Sequence, residues 1–286
     1  MRIQVSTDST ADIPVELCEK YKIEVLPLGI TYEDKEYHDG VDITVDEIYD
    51  ILEKPGDLPM SSQVALTAYE DFYKKVWEQG FTDLIHVAIN SKGSGTYQAG
   101  ILAEEMFFDN YPEAKGQLNI HLIDSKTYSM AYGIPVVEGA KMASEGASVE
   151  EIIAHITDWI EHARPMFVPL DLKCVKKSGR ISPAAAFVGD LIGLKPMITF
   201  EDGEPKILGK ARGEAKSIAL LIDTFMKERR PGTNYSIVYG RNIDAYETVQ
   251  AEIAKVVDMP PMINYQVGCI IAINTGPNMI GIIYRT

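Results

Sequence analysis

Cysteine is scarce in this chain. Three residues in 286 (Cys18, Cys174 and Cys269) lie far apart with no CxxC pair, which predicts neither a disulfide framework nor a zinc site. Positive charge is also short: 27 Lys and Arg stand against 42 Asp and Glu, a formal net charge of −15. That deficit opposes nucleic-acid binding, where neutralising phosphates with Lys and Arg supplies most of the affinity. It equally opposes standing attachment to an anionic membrane surface. No apolar run approaches the roughly 20 residues of a membrane span. The opening Met1-Arg2-Ile3-Gln4-Val5 enters a strand-like run at once and lacks the layout of a secretory signal. Cytoplasmic is the expected location. The chain has no internal repeat and no low-complexity segment.

Hydrophobic residues make up 46% and charged residues 24%, an ordinary globular balance, and the length favours two domains. The first half alternates strand and helix patterns. Strands are expected at Ile3–Ser6, Ile23–Ile30, Leu84–Ile89 and Ile120–Ile123, with helices near Pro14–Tyr21, Tyr97–Phe108 and Ala131–Ser144. Three capping boxes, Thr44-Val45-Asp46-Glu47, Thr67-Ala68-Tyr69-Glu70 and Ser148-Val149-Glu150-Glu151, each predict a further helix start. This spacing reads as a doubly wound parallel sheet, an α/β domain over residues 1–163. Residues 164–286 differ. Asp202-Gly203 between two β runs is a hairpin signal. Helical stretches near Glu214–Lys227 and Ala245–Val257 bracket a strand at Tyr235–Tyr239, and two β runs, Gly268–Ile273 and Ile280–Tyr284, close the chain. That mixture predicts an α+β domain.

Small polar residues recur where strands of the first half end: Thr7-Asp8-Ser9, Ser91 through Thr96, and Asp124-Ser125. In open α/β sheets, ligands bind beyond the carboxyl ends of the strands, where helix N-termini present unpaired amides. A hydroxyl-bearing, glycine-permissive turn there surrounds an oxyanion without a full positive charge; the same turns also serve as plain caps and connectors. Gly93-Ser94-Gly95 has its glycines next to the serine, whereas a hydrolase nucleophile elbow needs them two residues away. It also lacks the spacing and the Lys-Ser/Thr ending of a phosphate-binding P-loop. Asp8, Asp39, Asp42 and Asp124 are separated acids, read as turn and cap formers before metal ligands. Lys176 through Ser182 is a basic turn in an acidic protein, either a solvated loop or, through Arg180, an anion contact.

Taken together, these segments resemble the DegV family of bacterial fatty-acid-binding proteins. The likeness runs through Thr7-Asp8-Ser9, Asp39-Gly40-Val41-Asp42-Ile43, Ser61-Ser62-Gln63, Ser94-Gly95-Thr96-Tyr97-Gln98-Ala99, Asp124-Ser125, Ser178-Gly179-Arg180-Ile181 and Thr275-Gly276-Pro277. Each motif is common alone; their order and spacing carry the resemblance. It implies a parallel-sheet domain and an α+β domain with one long-chain fatty acid held between them. It further implies a carboxylate gripped by Ser61 and Ser94, with the Gly95 amide as an extra donor, and an acyl tunnel lined by Phe187, Ile192, Leu194 and Met197. No cofactor, metal or catalytic residue is implied.

Some members of the family present the acid to a separate fatty acid kinase. For that role the family pattern has an Arg, kept here as Arg180, and a His, replaced here by Asn274. Asn donates a hydrogen bond and carries no charge, which separates lipid holding from kinase coupling. The competing reading is an enzyme, either a hydrolase on Ser94 or a small-molecule kinase using Asp8 and Asp124.

Overall fold

The computed structural model describes residues 2–181 and 193–286. In chain order the first elements are β1 (Ile3–Asp8), α1 (Val15–Tyr21), β2 (Glu24–Leu26), β3 (Gly29–Tyr32), β4 (Lys35–His38), α2 (Val45–Glu53), β5 (Met60–Ser62), α3 (Leu66–Glu78), β6 (Asp83–Ala88), α4 (Thr96–Asn110), β7 (Asn119–Asp124), α5 (Met130–Ser144) and α6 (Val149–His162). Then follow β8 (Ala163–Pro169), α7 (Lys173–Ser178), β9 (Leu194–Glu201), β10 (Glu204–Arg212), α8 (Glu214–Glu228), β11 (Tyr235–Tyr239), α9 (Ile243–Ala254), β12 (Tyr265–Gln266), α10 (Cys269–Thr275) and β13 (Met279–Arg285). Two units emerge. Met1–Thr31, Glu36–Asp42 and Ser61–Glu161 form the first; Tyr32–Lys35, Ile43–Met60 and His162–Thr286 form the second. Beside the continuous division expected at 163/164, Tyr32–Lys35 and Ile43–Met60 are counted with the second unit, whose last stretch begins at His162.

The first unit is α/β. Its parallel sheet has the order β2-β1-β6-β7, and every residue of β6 is buried. One face is covered by a cluster that includes Val5, Ile85, Val87, Tyr132, Val136, Ile152 and Ile156. Gly139 is needed there: a Cβ would sit 2.9 Å from Ile156 Cδ1, so the glycine lets α5 approach α6 closely. Tyr69, Tyr73 and Phe107, from α3 and α4, are fully buried. The second unit carries a six-stranded mixed sheet, β10-β9-β8-β13-β11-β12, antiparallel except at β11/β12. Its core gathers Met166, Val168, Leu221, Phe225, Ile237, Val249 and Ile282.

Two of the three capping boxes form as read. Thr44 accepts from the Glu47 amide at 3.3 Å while Glu47 accepts from the Thr44 amide at 2.8 Å, and Ser148 and Glu151 do the same at 3.2 and 2.8 Å. The third does not: α3 already begins at Leu66 behind an Ala65 N-cap, so Thr67 is a first-turn residue. The Asp202-Gly203 hairpin forms, with φ of 48° and 78°. The run expected at Ile23–Ile30 is divided at Pro27 between β2 and β3, which belong to different sheets. Pro27 has no amide to continue the ladder. Gly268–Ile273, read as β from its isoleucines, is instead the start of α10. Its apolar residues are buried on every side, and burial overrides the weak β preference of branched side chains.

Candidate functional site

Strand β6 delivers the chain into a loop, residues 90–95, that opens α4. Asn90, fully buried, is the hub of this loop. Its carbonyl accepts from the Gly93 and Ser94 amides, both at 3.1 Å, and its own amide donates to the Thr127 carbonyl at 3.2 Å. Its side-chain oxygen accepts from the Lys92 amide at 3.2 Å, and its Nδ2 donates to the Tyr128 hydroxyl at 2.8 Å. Asp124, ending β7, holds the same loop from below through the Ser91 amide (3.0 Å) and the Ser91 hydroxyl (2.6 Å).

Gly93 and Gly95 have no left-handed backbone to justify them; Gly95 sits at φ −76°. Room justifies them instead. A Cβ on Gly93 would lie 2.0 Å from the Tyr128 hydroxyl, and one on Gly95 would lie 2.0 Å from Gln63 Oε1. Ser94 is therefore bracketed by two polar side chains lying on the loop backbone.

Ser94 Oγ is 2.9 Å from Thr96 Oγ1 and accepts from the Thr96 amide at 3.3 Å. Thr96 Oγ1 in turn accepts from the Val64 amide at 3.3 Å. This junction joins the loop to the segment that carries Ser61, Ser62 and Gln63. Two predicted site elements far apart in sequence are thus brought together, with Thr96 as the link. Sequence reasoning missed that link because a threonine opening a helix reads as a cap. Ser61 is half-buried on β5, while Ser62 lies against Gly29, where a Cβ would come 2.3 Å from its hydroxyl. Gly95 is the N-cap of α4 and offers no side-chain acceptor to the first-turn amides. Beside the junction is a cavity of 190 Å³ lined by Gly29, Thr31, His38, Ser62, Gln63 and Ala68.

The residues of the enzymatic reading are placed differently. Asp8 is fully buried and accepts from the Ile89 amide (2.6 Å), the Thr10 amide (3.1 Å), the Tyr132 hydroxyl (2.8 Å) and the Thr10 hydroxyl. Burial pushes its carboxyl pKa up, and these donors pull against that shift. Asp124 is held by Ser91 and by the Lys126 amide at 3.0 Å. Both carboxylates act as loop anchors. His86 is fully buried between Ser6 Oγ and Tyr69 OH, each at 2.9 Å, and burial lowers its pKa to about 3. Ser94 bonds to Thr96 and not to an imidazole. Among the described residues no cluster of three or more His, Cys, Asp or Glu is arranged for a metal.

In the second unit, Arg180 is exposed and its Nη1 donates to the Ser178 carbonyl at 3.0 Å. Asn274 is half-buried in the last turn of α10, its Nδ2 donating to the Ile270 carbonyl at 2.7 Å. Of the expected acyl-lining residues, Leu194 is half-buried at the start of β9 and Met197 is packed into the core cluster. Phe187 and Ile192 lie outside the described residues.

Solved and curated proteins resemble this chain along its whole length. A DegV family protein from Thermus thermophilus, described for its fatty-acid binding, has a TM-score of 0.88 and 28% identity, with all of both chains covered. A stearic-acid-binding protein from Eubacterium ventriosum has a TM-score of 0.88 and 26% identity, covering 100% of this chain and 98% of that one. A DegV domain-containing protein of Caldanaerobacter subterraneus is 32% identical over 291 residues, 99% of each chain. The family model described as "Uncharacterised protein, DegV family" matches residues 2–286, and on that match the chain belongs to the DegV family.

Proposed function

We propose that this chain is a fatty-acid-binding protein with no catalysis of its own, holding the carboxylate at the Ser61 and Ser94 hydroxyls and the Gly95 amide. The observation that carries this reading is the Ser94–Thr96–Val64 junction, which gathers two hydroxyl-bearing segments at an α4 N-terminus lacking a side-chain cap. Helix N-terminal amides and hydroxyls stabilise an anion without a neighbouring cation, which suits an acidic chain. The fatty acids bound by the Thermus and Eubacterium proteins support the same ligand class. The tail supplies the affinity: burying roughly 15 methylenes at about 0.8 kcal/mol each gives on the order of 12 kcal/mol before ordering costs. Met197 is already enclosed by core neighbours, which favours a packing role for it.

The enzymatic alternative has less support, because Asp8 and Asp124 are occupied as anchors and His86 is enclosed by Ser6 and Tyr69. Presentation of the acid to a fatty acid kinase would rest on the exposed Arg180. Asn274, whose amide is turned to its own helix, supplies no charge for it.

Mass spectrometry of the purified protein, native and then denatured with organic extraction, tests the proposal. A stoichiometric fatty acid released on denaturation is the expected result. A protein that is empty and takes up no added fatty acid sinks it. Ser94→Ala is expected to weaken fatty-acid binding about tenfold, the worth of one hydroxyl bond to a charged group, with an unchanged melting temperature.

A further inference from the structure

We infer that Gln63 is a headgroup-contacting residue of this site, its side-chain amide donating to one carboxylate oxygen. The inference rests on the fatty-acid reading above. Three features of the first unit converge on it.

The first is packing. Gln63 Oε1 lies so close to Gly95 that any Cβ there would overlap it at 2.0 Å, while Nε2 stands further off, 3.7 Å from the same point. The amide is therefore seated on the residue that follows Ser94, with its acceptor end against the loop and its donor end turned away. Gly95 has an unstrained backbone, so room for Gln63 accounts for this glycine.

The second is register. Successive side chains of an extended segment alternate faces. Ser62 is directed at Gly29, so alternation along β5 directs Ser61 to the other side; Gln63, just past the end of β5, meets both Gly95 and the cavity that Ser62 lines.

The third is an unmet donor. No described residue accepts from or donates to the Gln63 side chain, although neighbouring polar groups of the loop are tied into a network. Gln63 is exposed and also lines the 190 Å³ cavity. An ionised carboxylate accepts about four hydrogen bonds. Ser94 shares its hydroxyl with Thr96, so Ser61, Ser94 and the Gly95 amide leave one acceptor position that a neutral amide donor would fill.

The test compares an acid with the matching alcohol. Octadecanoic acid and octadecanol are titrated at pH 8 against wild type, Gln63→Glu, Gln63→Leu and Gly95→Ala, by displacement of a fluorescent fatty acid, with melting temperature as the folding control. Gln63→Glu keeps size and shape but sets a negative charge beside the carboxylate. It is expected to weaken the acid about tenfold or more and the alcohol less than about threefold. Gln63→Leu should weaken the acid less, and Gly95→Ala should reproduce that loss by displacing the amide. A wild-type protein that binds the acid, paired with a Gln63→Glu variant that binds it equally well or loses acid and alcohol alike, overturns this inference alone. A wild-type protein that binds neither ligand overturns the fatty-acid reading and this inference with it.

Discussion

In the first unit, hydrogen-bonded polar groups run through the sheet's interior: Ser6, His86 and Tyr69 form one chain, and Asp8 with Thr10, Tyr132 and the Ile89 amide forms another. In the second unit, the sheet rests on aromatic and aliphatic side chains, and its ion pairs lie at the periphery, as where Arg241 meets Asp50 and Glu53. The contrast follows from what each must hold. Loops at the ends of parallel strands have no ladder partners of their own, so buried side chains tie them down, and a ligand site is made from what they hold. An antiparallel sheet closes its own ladder, and apolar burial suffices for the rest.

The comparison breaks most visibly at Phe225. Its ring is fully buried, with centroids 5.2 Å from Tyr235 and 5.3 Å from Tyr284. Phe225→Ala should cost about 3–5 kcal/mol, read from urea unfolding. Hydrogen exchange should quicken first in β11 and β13. Equal loss of protection in β1 and β6 would mean the second unit's core is not what was weakened.

Asp8→Ala is the counterpart in the first unit. It strands the Ile89 and Thr10 amides and the Tyr132 hydroxyl without their acceptor, at about 3 kcal/mol. The Ser94 loop, which follows Ile89, should loosen with it. Asp8→Asn retains one oxygen acceptor and should cost less. If Asp8→Ala is as mild as a surface substitution, the polar network is not what holds these loops.

His86 sharpens the contrast through pH. Its folded pKa, about 3, lies below the ordinary 6.5 because burial penalises the charged ring. Between those values the unfolded chain binds the extra proton. Stability contributed by neutral His86 is therefore complete above about pH 6.5 and is lost as pH falls toward 3, at up to about 1.4 kcal/mol per unit. Asp8, whose carboxyl pKa is raised, works in the opposite sense and gains as pH falls. Urea midpoints from pH 7 to 4.5 should fall less steeply in His86→Gln than in wild type. An identical slope would remove His86 from the account.

Much of this was legible beforehand. The alternation of strand and helix, the hairpin at Asp202-Gly203 and the caps at Thr44 and Ser148 follow from local chemistry that reads the same in any context. Ser94 stands out as a hydroxyl in a glycine-permissive turn, whereas Ser61 is implied only by the family resemblance. The roles of Gln63, Tyr128 and Thr96 are not legible there, because they come from proximity across 32 to 38 positions of chain (Val64 to Thr96, Asn90 to Tyr128). No periodicity encodes such approach. The polar strands β4 and β5 give no strand signal in the sequence because each is short and lacks an apolar face. Helix α10 misled for the reverse reason: isoleucine runs look the same whether a sheet or a fully buried helix receives them.

The mildest effect is expected at Arg241. Its guanidinium reaches Asp50 at 2.5 Å and Glu53 at 2.8 Å and lies 5.6 Å from the Tyr49 ring centre. Tyr49 itself is fully buried and donates to the Val267 carbonyl at 3.1 Å. Tyr49 should therefore anchor α2 through packing, while Arg241 adds a screened surface attraction. Arg241→Ala should cost less than about 1 kcal/mol. Raising the salt from 0.05 to 0.5 M, chosen to shorten the screening length to a few ångströms, should shrink that difference further. A loss of several kcal/mol that persists in salt would place a desolvated ion pair in the second unit's framework, and the contrast between a polar-tied first unit and an apolar second one would no longer hold.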